Sequence, residues 1–168
     1  MENLVAVADC LSVETESFYR DSLFRRAERD SFFGLEEDPL MTMDFYSGFE
    51  RWIFPAIPEI VPPFKGLLRR VCLRRPMKDT EIRLNLRDPK PFESWEFAAI
   101  SRALLQKQSR EDNLLLIDGR ANICYVQSTL AIHTLVAHLY RWSKVWNLYT
   151  NNLDEIEWPP GLLVFFRG

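Results

Sequence analysis

The sequence predicts an α+β protein: an antiparallel sheet with helices on one face, preceded by a helical N-terminal region. Three observations carry that prediction. Residues 113–149 read as a β-hairpin around Asp118-Gly119, followed by a long helix with apolar residues three and four apart. Residues 81–87 alternate between Ile82, Leu84, Leu86 and Arg83, Asn85, Arg87, which is the period of a strand. Trp158-Pro159-Pro160-Gly161 then turns the chain into a last apolar strand over 162–166. Residues 80–168 thus run strand, helix, strand, strand, helix, strand, the split-βαβ or ferredoxin-like order. Residues 1–60 form the acidic, aromatic helical region and 61–168 the α+β domain, the two making one compact unit.

In chain order, Ser12 is placed to cap a first helix, with Glu14 and Glu16 where a helix N-terminus favours negative charge. Tyr19, Leu23 and Ala27 lie four apart, with Phe18 and Phe24 beside them, and Gly34 ends the helix after Phe32-Phe33. An acidic turn over 35–39 leads to a short aromatic helix over 43–54. Pro55, Pro58, Pro62 and Pro63 exclude regular helix beyond it and mark the boundary. The apolar content there (Phe54, Ile57, Ile60, Val61, Phe64) lays this segment on the body of the domain. Residues 67–75 read as a strand and 81–87 as another, ended by Pro89 and Pro91. Ser94 caps a helix whose stripe is Phe97, Ile100 and Leu104.

The hairpin pairs 114–117 with 123–126, its Leu114/Ile123/Tyr125 face toward the core. Asp118 and Gly119 suit a two-residue turn in which both central positions need positive φ. Ser128 or Thr129 caps the long helix, whose stripe is Ile132, Leu135, Leu139, Trp142, Trp146 and Tyr149.

Composition narrows the class. Of 168 residues, 47% are apolar and 13% aromatic, which suits a folded globule and not a disordered chain. No apolar run approaches the roughly 20 residues that cross a bilayer, and the start lacks the basic region of a signal peptide, so no membrane partner is expected. Cys10, Cys72 and Cys124 are odd in number and far apart, neither a disulfide framework nor a zinc spacing. They fit a reducing compartment, so an intracellular protein, cytoplasmic or nuclear, is expected.

Net charge is only −3, yet charge is sorted along the chain. Residues 1–50 hold twelve acids and four bases, whereas residues 65–90 hold nine bases and three acids. Such asymmetry points to an electrostatic partner or to the two halves docking on each other.

Catalytic signatures are missing from the sequence. His133 and His138, on the expected long helix, would stand roughly 140° apart around its axis, off the shared face that metal ligands need. No glycine pattern cradles phosphate. Glu93 or Glu96 followed by Asp118 resembles the layout of metal-dependent nucleases of the PD-(D/E)xK type. That layout then requires an acid-x-Lys where Tyr125-Val126-Gln127-Ser128 stands, so neither metal nor nucleophile activation is supported. No catalytic residue, metal or cofactor is expected.

Two binding functions compete. The first is a non-enzymatic binding or regulatory protein acting on a protein partner, in the manner of a small viral or host-manipulating accessory protein. Its anchors would be Trp52, Phe54, Trp142, Trp146 and Tyr149, aromatic types that dominate interfaces. The second is RNA or DNA binding, with Arg69, Arg70, Arg74, Arg75, Arg83 and Arg87 tracking the phosphate backbone. The element order and the run Ile82-Arg83-Leu84-Asn85-Leu86 resemble an RRM and its RNP2 strand, but residues 81–87 carry no aromatic on which a base would stack. A homodimer is also expected as an option, through a sheet edge or the aromatic helix.

Overall fold

The computed structural model describes residues 5–26, 41–43, 48–108, 114–142 and 145–168. The protein is α+β, built on one large sheet whose long ladders are antiparallel. The strand order is β1 (Val5–Thr15), β6 (Phe64–Leu73), β11 (Leu163–Arg167), β8 (Asn122–Gln127), β9 (Thr134–Trp142), β10 (Val145–Asn152), β4 (Met41–Met43) and β3 (Phe24–Arg26). A ninth strand, β7 (Phe92–Glu93), pairs with β8. Two further strands, β2 (Phe18–Tyr19) and β5 (Ile60–Val61), form a separate ribbon.

Both faces of the central strands are largely buried, by different covers. One face carries Leu68, Cys124, Val126, Leu135, Ala137, Leu139, Leu163 and Phe165, under α2 (Ser94–Gln108) and the segment 49–57. The other face carries Val71, Leu73, Ile123, Tyr125, Val136 and Val164, under α1 (Asp79–Asn85) and the loop 153–162. Successive residues of β8 alternate between the two clusters, as a pleated strand requires.

Helix α2 is buried nearly all round, because the sheet lies on one side of it and the 49–57 segment on the other. Its start is a capping arrangement in which the Glu93 amide donates to Glu96 Oε2 at 2.8 Å. None of the described helices is long and apolar enough to cross a membrane.

Several expected elements are confirmed: the strand over 67–75 is β6, the helix begun at Ser94 is α2, and the last strand is β11. Others are corrected, so the ferredoxin-like order is not the one observed. The expected long helix is the antiparallel pair β9–β10, with Leu148 opposite Leu139 and Tyr149 opposite His138. A strand buried on both faces is apolar at nearly every position, which imitates a broad helical stripe. The β-branched and aromatic residues Val136, Tyr140, Val145, Trp146 and Tyr149 favour the sheet.

The expected strand over 81–87 is helix α1. Asp79, Ile82 and Leu86 turn inward at helical spacing, while Leu84 is left 68% exposed. Three apolar residues are too few to separate the two periods. The expected hairpin is not formed: the chain bends at Asp118-Gly119, but only Gly119 has positive φ (86°), where the two-residue turn needs it at both positions, and the first arm is not a strand. The Asn122 side chain instead bonds the backbone of Leu116 through both its amide nitrogen and oxygen.

The first helix expected near the N-terminus is strand over its described part, as β1, β2 and β3, with a short 3-10 turn at Arg20–Ser22. Its expected end at Phe32-Phe33-Gly34 and the acidic turn over 35–39 lie outside the described residues. Of the expected 43–54 helix, Met43 is strand, 44–47 lie outside the described residues, and the rest is a π-helical turn, Phe49–Ile53, followed by a 3-10 turn, Phe54–Ala56. β1 joins the sheet built by 61–168 at its edge, with a register shift between Val7 and Cys10.

Candidate functional site

A cleft lies at one end of the sheet, between the start of β6 and the segment 92–96. β9 covers one edge of β8 over its whole length, so β11 and β7 must share the other. β11 pairs with β8 only through Phe165, and β7 takes over at Val126. β11 stays with β6 as far as Arg167 opposite Leu68, and the Gly168 amide donates to Leu67 O at 2.9 Å. Beyond that point Phe64–Gly66 pair with β1 on one side and face the cleft on the other.

The cleft has a volume of about 380 Å³, within the usual range for ligand sites. One wall is Phe64, Lys65 and Leu67; the other is Phe92, Trp95 and Glu96. Phe64 and Trp95 meet edge-on at 6.3 Å between ring centres. A Cβ on Gly66 would stand 2.9 Å from Phe64 Cζ, so the Phe64 ring lies across the glycine. In the lining, Arg167 pairs with the buried Glu96, and its guanidinium sits 5.3 Å from the Phe92 ring centre. Leu67 is 56% exposed at the rim.

A polar cluster on the opposite part of the molecule is internal. Asp79 has no exposed surface and accepts three hydrogen bonds: from Trp158 Nε1 at 2.7 Å, Tyr125 Oη at 3.1 Å and the Asp154 amide at 2.9 Å. Asp154 answers by accepting from the Thr80 amide at 2.8 Å and the Thr80 hydroxyl at 2.5 Å. Burial pushes the Asp79 carboxyl above its ordinary range, against the three donors. Burial likewise raises the Tyr125 phenol, with the Asp79 charge adding to it.

His138 stands next to this cluster, its ring 5.1 Å from Trp158 and stacked on Tyr149 at 5.6 Å. His138 Nε2 lies 2.8 Å from the acceptor Asn151 Oδ1, and burial lowers its pKa. Chemically this is a clamp that ties α1 and loop 153–162 to the sheet.

The sequence-derived residues do not gather. Arg69 and Arg70 point to opposite faces of β6, and Arg70 donates to Leu114 O at 2.8 Å. Arg75 pairs with Glu81, and Arg83 pairs with Asp88 at 2.5 Å. Arg69, Arg74 and Arg87 are exposed.

Of the aromatic set, Trp52, Phe54 and Trp146 are half-buried against the first core cluster. Phe54 packs 6.0 Å from Phe24, with the Arg20 guanidinium 4.2 Å from its ring. Tyr149 belongs to the His138–Tyr140 stack on the other face, and Trp142 ends β9. His133 is an exposed loop residue and His138 a strand residue, so the expected helix for the pair is corrected too.

The cleft residues escaped notice because they come from three separate parts of the chain. The one sequence signal was Phe64 and Leu67 in a β-stretch also holding Gly66, since an in-strand glycine often marks a close approach. Among the described residues no three His, Cys, Asp or Glu side chains gather as metal ligands. No family model matches the chain, and no significant match is found among curated proteins or solved structures.

Proposed function

We propose that this protein is a non-enzymatic binding or regulatory module that takes a protein partner in the cleft between β6 and β7. One observation carries the reading: a cleft lined by Phe64, Leu67, Phe92 and Trp95 lies between the start of β6 and β7. The lining mixes the Phe64, Phe92 and Trp95 rings with Lys65 and the Glu96–Arg167 pair, so a ligand would meet polar as well as apolar groups. The titratable clusters elsewhere support the same reading, since Asp79 and its partners are fully engaged inside the fold.

A second reading, phosphate-backbone binding to RNA or DNA, is favoured by the exposure of Arg69, Arg74 and Arg87. It is weakened by Arg70, Arg75 and Arg83, which already bond within the protein.

Affinity purification of three tagged forms separates the readings: wild type, Leu67→Glu, and a triple variant Arg69→Ala, Arg74→Ala, Arg87→Ala. Leu67 is 56% exposed, so the substitution leaves the fold intact. The proposal expects a protein retained by wild type and by the triple variant and lost from Leu67→Glu. Retention indifferent to Leu67, or nuclease-sensitive retention that needs the arginines, overturns it.

A further inference from the structure

We propose that the loop between β8 and β9, residues 128–133, is a membrane contact that dips Leu130 and Ile132 into the apolar boundary of a lipid bilayer. Ile132 is 92% exposed and Leu130 47%, while Ala131 between them is half-buried against the first core cluster. A single exposed aliphatic residue is ordinary on a protein surface. Here two of them crown a loop whose own bonds hold them out.

The loop is braced from within. Ala131 N donates to Ser128 O at 3.3 Å, closing a turn, and Leu130 N donates to Ser128 Oγ at 3.1 Å. The Ser128 hydroxyl in turn donates to Trp52 O. Gln127 Nε2 donates to Ser128 O at 3.3 Å and to Ala131 O at 3.2 Å, and the Thr134 hydroxyl donates to Gln127 Oε1 at 3.3 Å. The Ser128 and Ala131 carbonyls and the Leu130 and Ala131 amides are thus bonded inside the protein. Backbone groups satisfied in this way leave water without the penalty that keeps a bare loop out of an apolar medium. A loop already ordered also gives up little entropy on docking.

Charge selects a bilayer as the occupant. Residues 127–134 include no Asp, Glu, Lys or Arg, so insertion drags no such charge out of water. By the same token they offer a protein partner no charge by which to orient it. Thr129 and His133, also exposed, are polar side chains that lipid headgroups solvate. The bond to Trp52 O ties the loop to the turn Phe49–Ile53, where the exposed Arg51 lays its guanidinium 4.6 Å from the Trp52 ring centre. An arginine and an indole at the base of an apolar tip suit the headgroup layer. Glu93, opposite Gln127 on β7, is the acid that the ladder places at the root of the loop, and Trp95 Nε1 donates to its carboxylate at 2.8 Å. A loop that enters one leaflet needs no spanning helix, and two side chains give a weak, reversible attachment.

The test is sedimentation of the full chain with sucrose-loaded vesicles of phosphatidylcholine and phosphatidylserine in equal parts, titrated in lipid. Ile132→Ser, Ile132→Phe and Ile117→Ser accompany wild type. Ile117 is 49% exposed and precedes β8, whereas the loop follows that strand, so it serves as the control. Both positions are exposed, and the substitutions leave the fold intact. Wild type should partition onto the vesicles. Ile132→Ser should weaken partition by about tenfold, the worth of one aliphatic side chain withdrawn from an apolar medium. Ile132→Phe should bind at least as well as wild type, and Ile117→Ser should match it. No sedimentation of wild type, partition of Ile132→Ser equal to wild type, or an equal loss from Ile117→Ser overturns the membrane contact. Partner retention through Leu67 is read without lipid, so either reading can fail while the other stands.

Discussion

Removing the Asp79 carboxylate tests whether α1 and the 153–162 loop are held to the sheet as described. Asp79→Ala deprives Trp158 Nε1, Tyr125 Oη and the Asp154 amide of their acceptor at one stroke. Trp158 and Tyr125 are 4% and 2% exposed, so water cannot replace what is lost without opening the cluster. At about 1–2 kcal/mol for each of the three unsatisfied donors, the loss is about 3–6 kcal/mol. That is a large share of the roughly 5–15 kcal/mol by which domains are stable.

Asp79→Asn keeps the shape and one or two of the bonds, so it costs less, about 1–2 kcal/mol. Its pH dependence gives the sharper reading. Burial holds the folded-state pKa above the ordinary 3.8, so ionising the carboxyl costs the folded state. Wild-type stability from this group is full below 3.8 and falls as pH rises from there through the raised folded value. The asparagine variant has nothing to ionise, so its deficit against wild type is largest in acid and shrinks across that window. Urea unfolding followed by tryptophan fluorescence, repeated across that window, measures both effects. A loss below about 1 kcal/mol for Asp79→Ala would refute the clamp.

Three further predictions follow from the same structure. Burial lowers the His138 pKa below the ordinary 6.5, so its contribution to stability is full above 6.5 and is lost as pH falls through the folded value. His138→Phe, which retains an aromatic ring beside Tyr149, should flatten the dependence of Tm on pH between about 7 and 5, and an unchanged slope would assign it to other groups. Burial pushes the Cys124 thiol up to about 12, whereas Cys10 is exposed. Maleimide labelling at neutral pH, read by mass spectrometry, should mark Cys10 in the folded protein and Cys124 only after unfolding. Gly161 and Gly119 both have φ near +87°, but a Cβ meets Arg120 Nη1 at 2.4 Å in the first and open space in the second. Both alanine variants should cost about 1 kcal/mol in backbone strain, and Gly161→Ala more, by the displaced Arg120 bond to Gly161 O. Thermal unfolding of the two variants checks the order.

What the sequence showed of this fold depends on how each element is buried. β6 and β11 stood out because turns and prolines bound them, and α2 because a cap precedes a clear stripe. β9 and β10 were hidden by their own burial: with Leu139 on one face and Val136 on the other, no alternation remains to be read. Helix α1 is defined by the contact of Asp79 with residues far along the chain, which no local pattern contains. The arginine-rich segment drew attention as a run of charge. Folding divides it between two faces of β6, a turn and a helix, so the run does not become a surface. The cleft had no local signature, because its lining comes from three separate stretches, 63–67, 92–96 and 167–168, that only the fold brings together.

The most direct test of the central claim, that a protein partner occupies the cleft, is photo-cross-linking from a single position. A photo-reactive amino acid is placed at Leu67, on the rim of the cleft, or at Ile132, which is 92% exposed on a loop elsewhere. Irradiation is carried out in the cells that make the protein. The account predicts a discrete protein adduct from position 67 and none from position 132. An adduct of the same partner from position 132 alone, or no adduct from position 67, would contradict it.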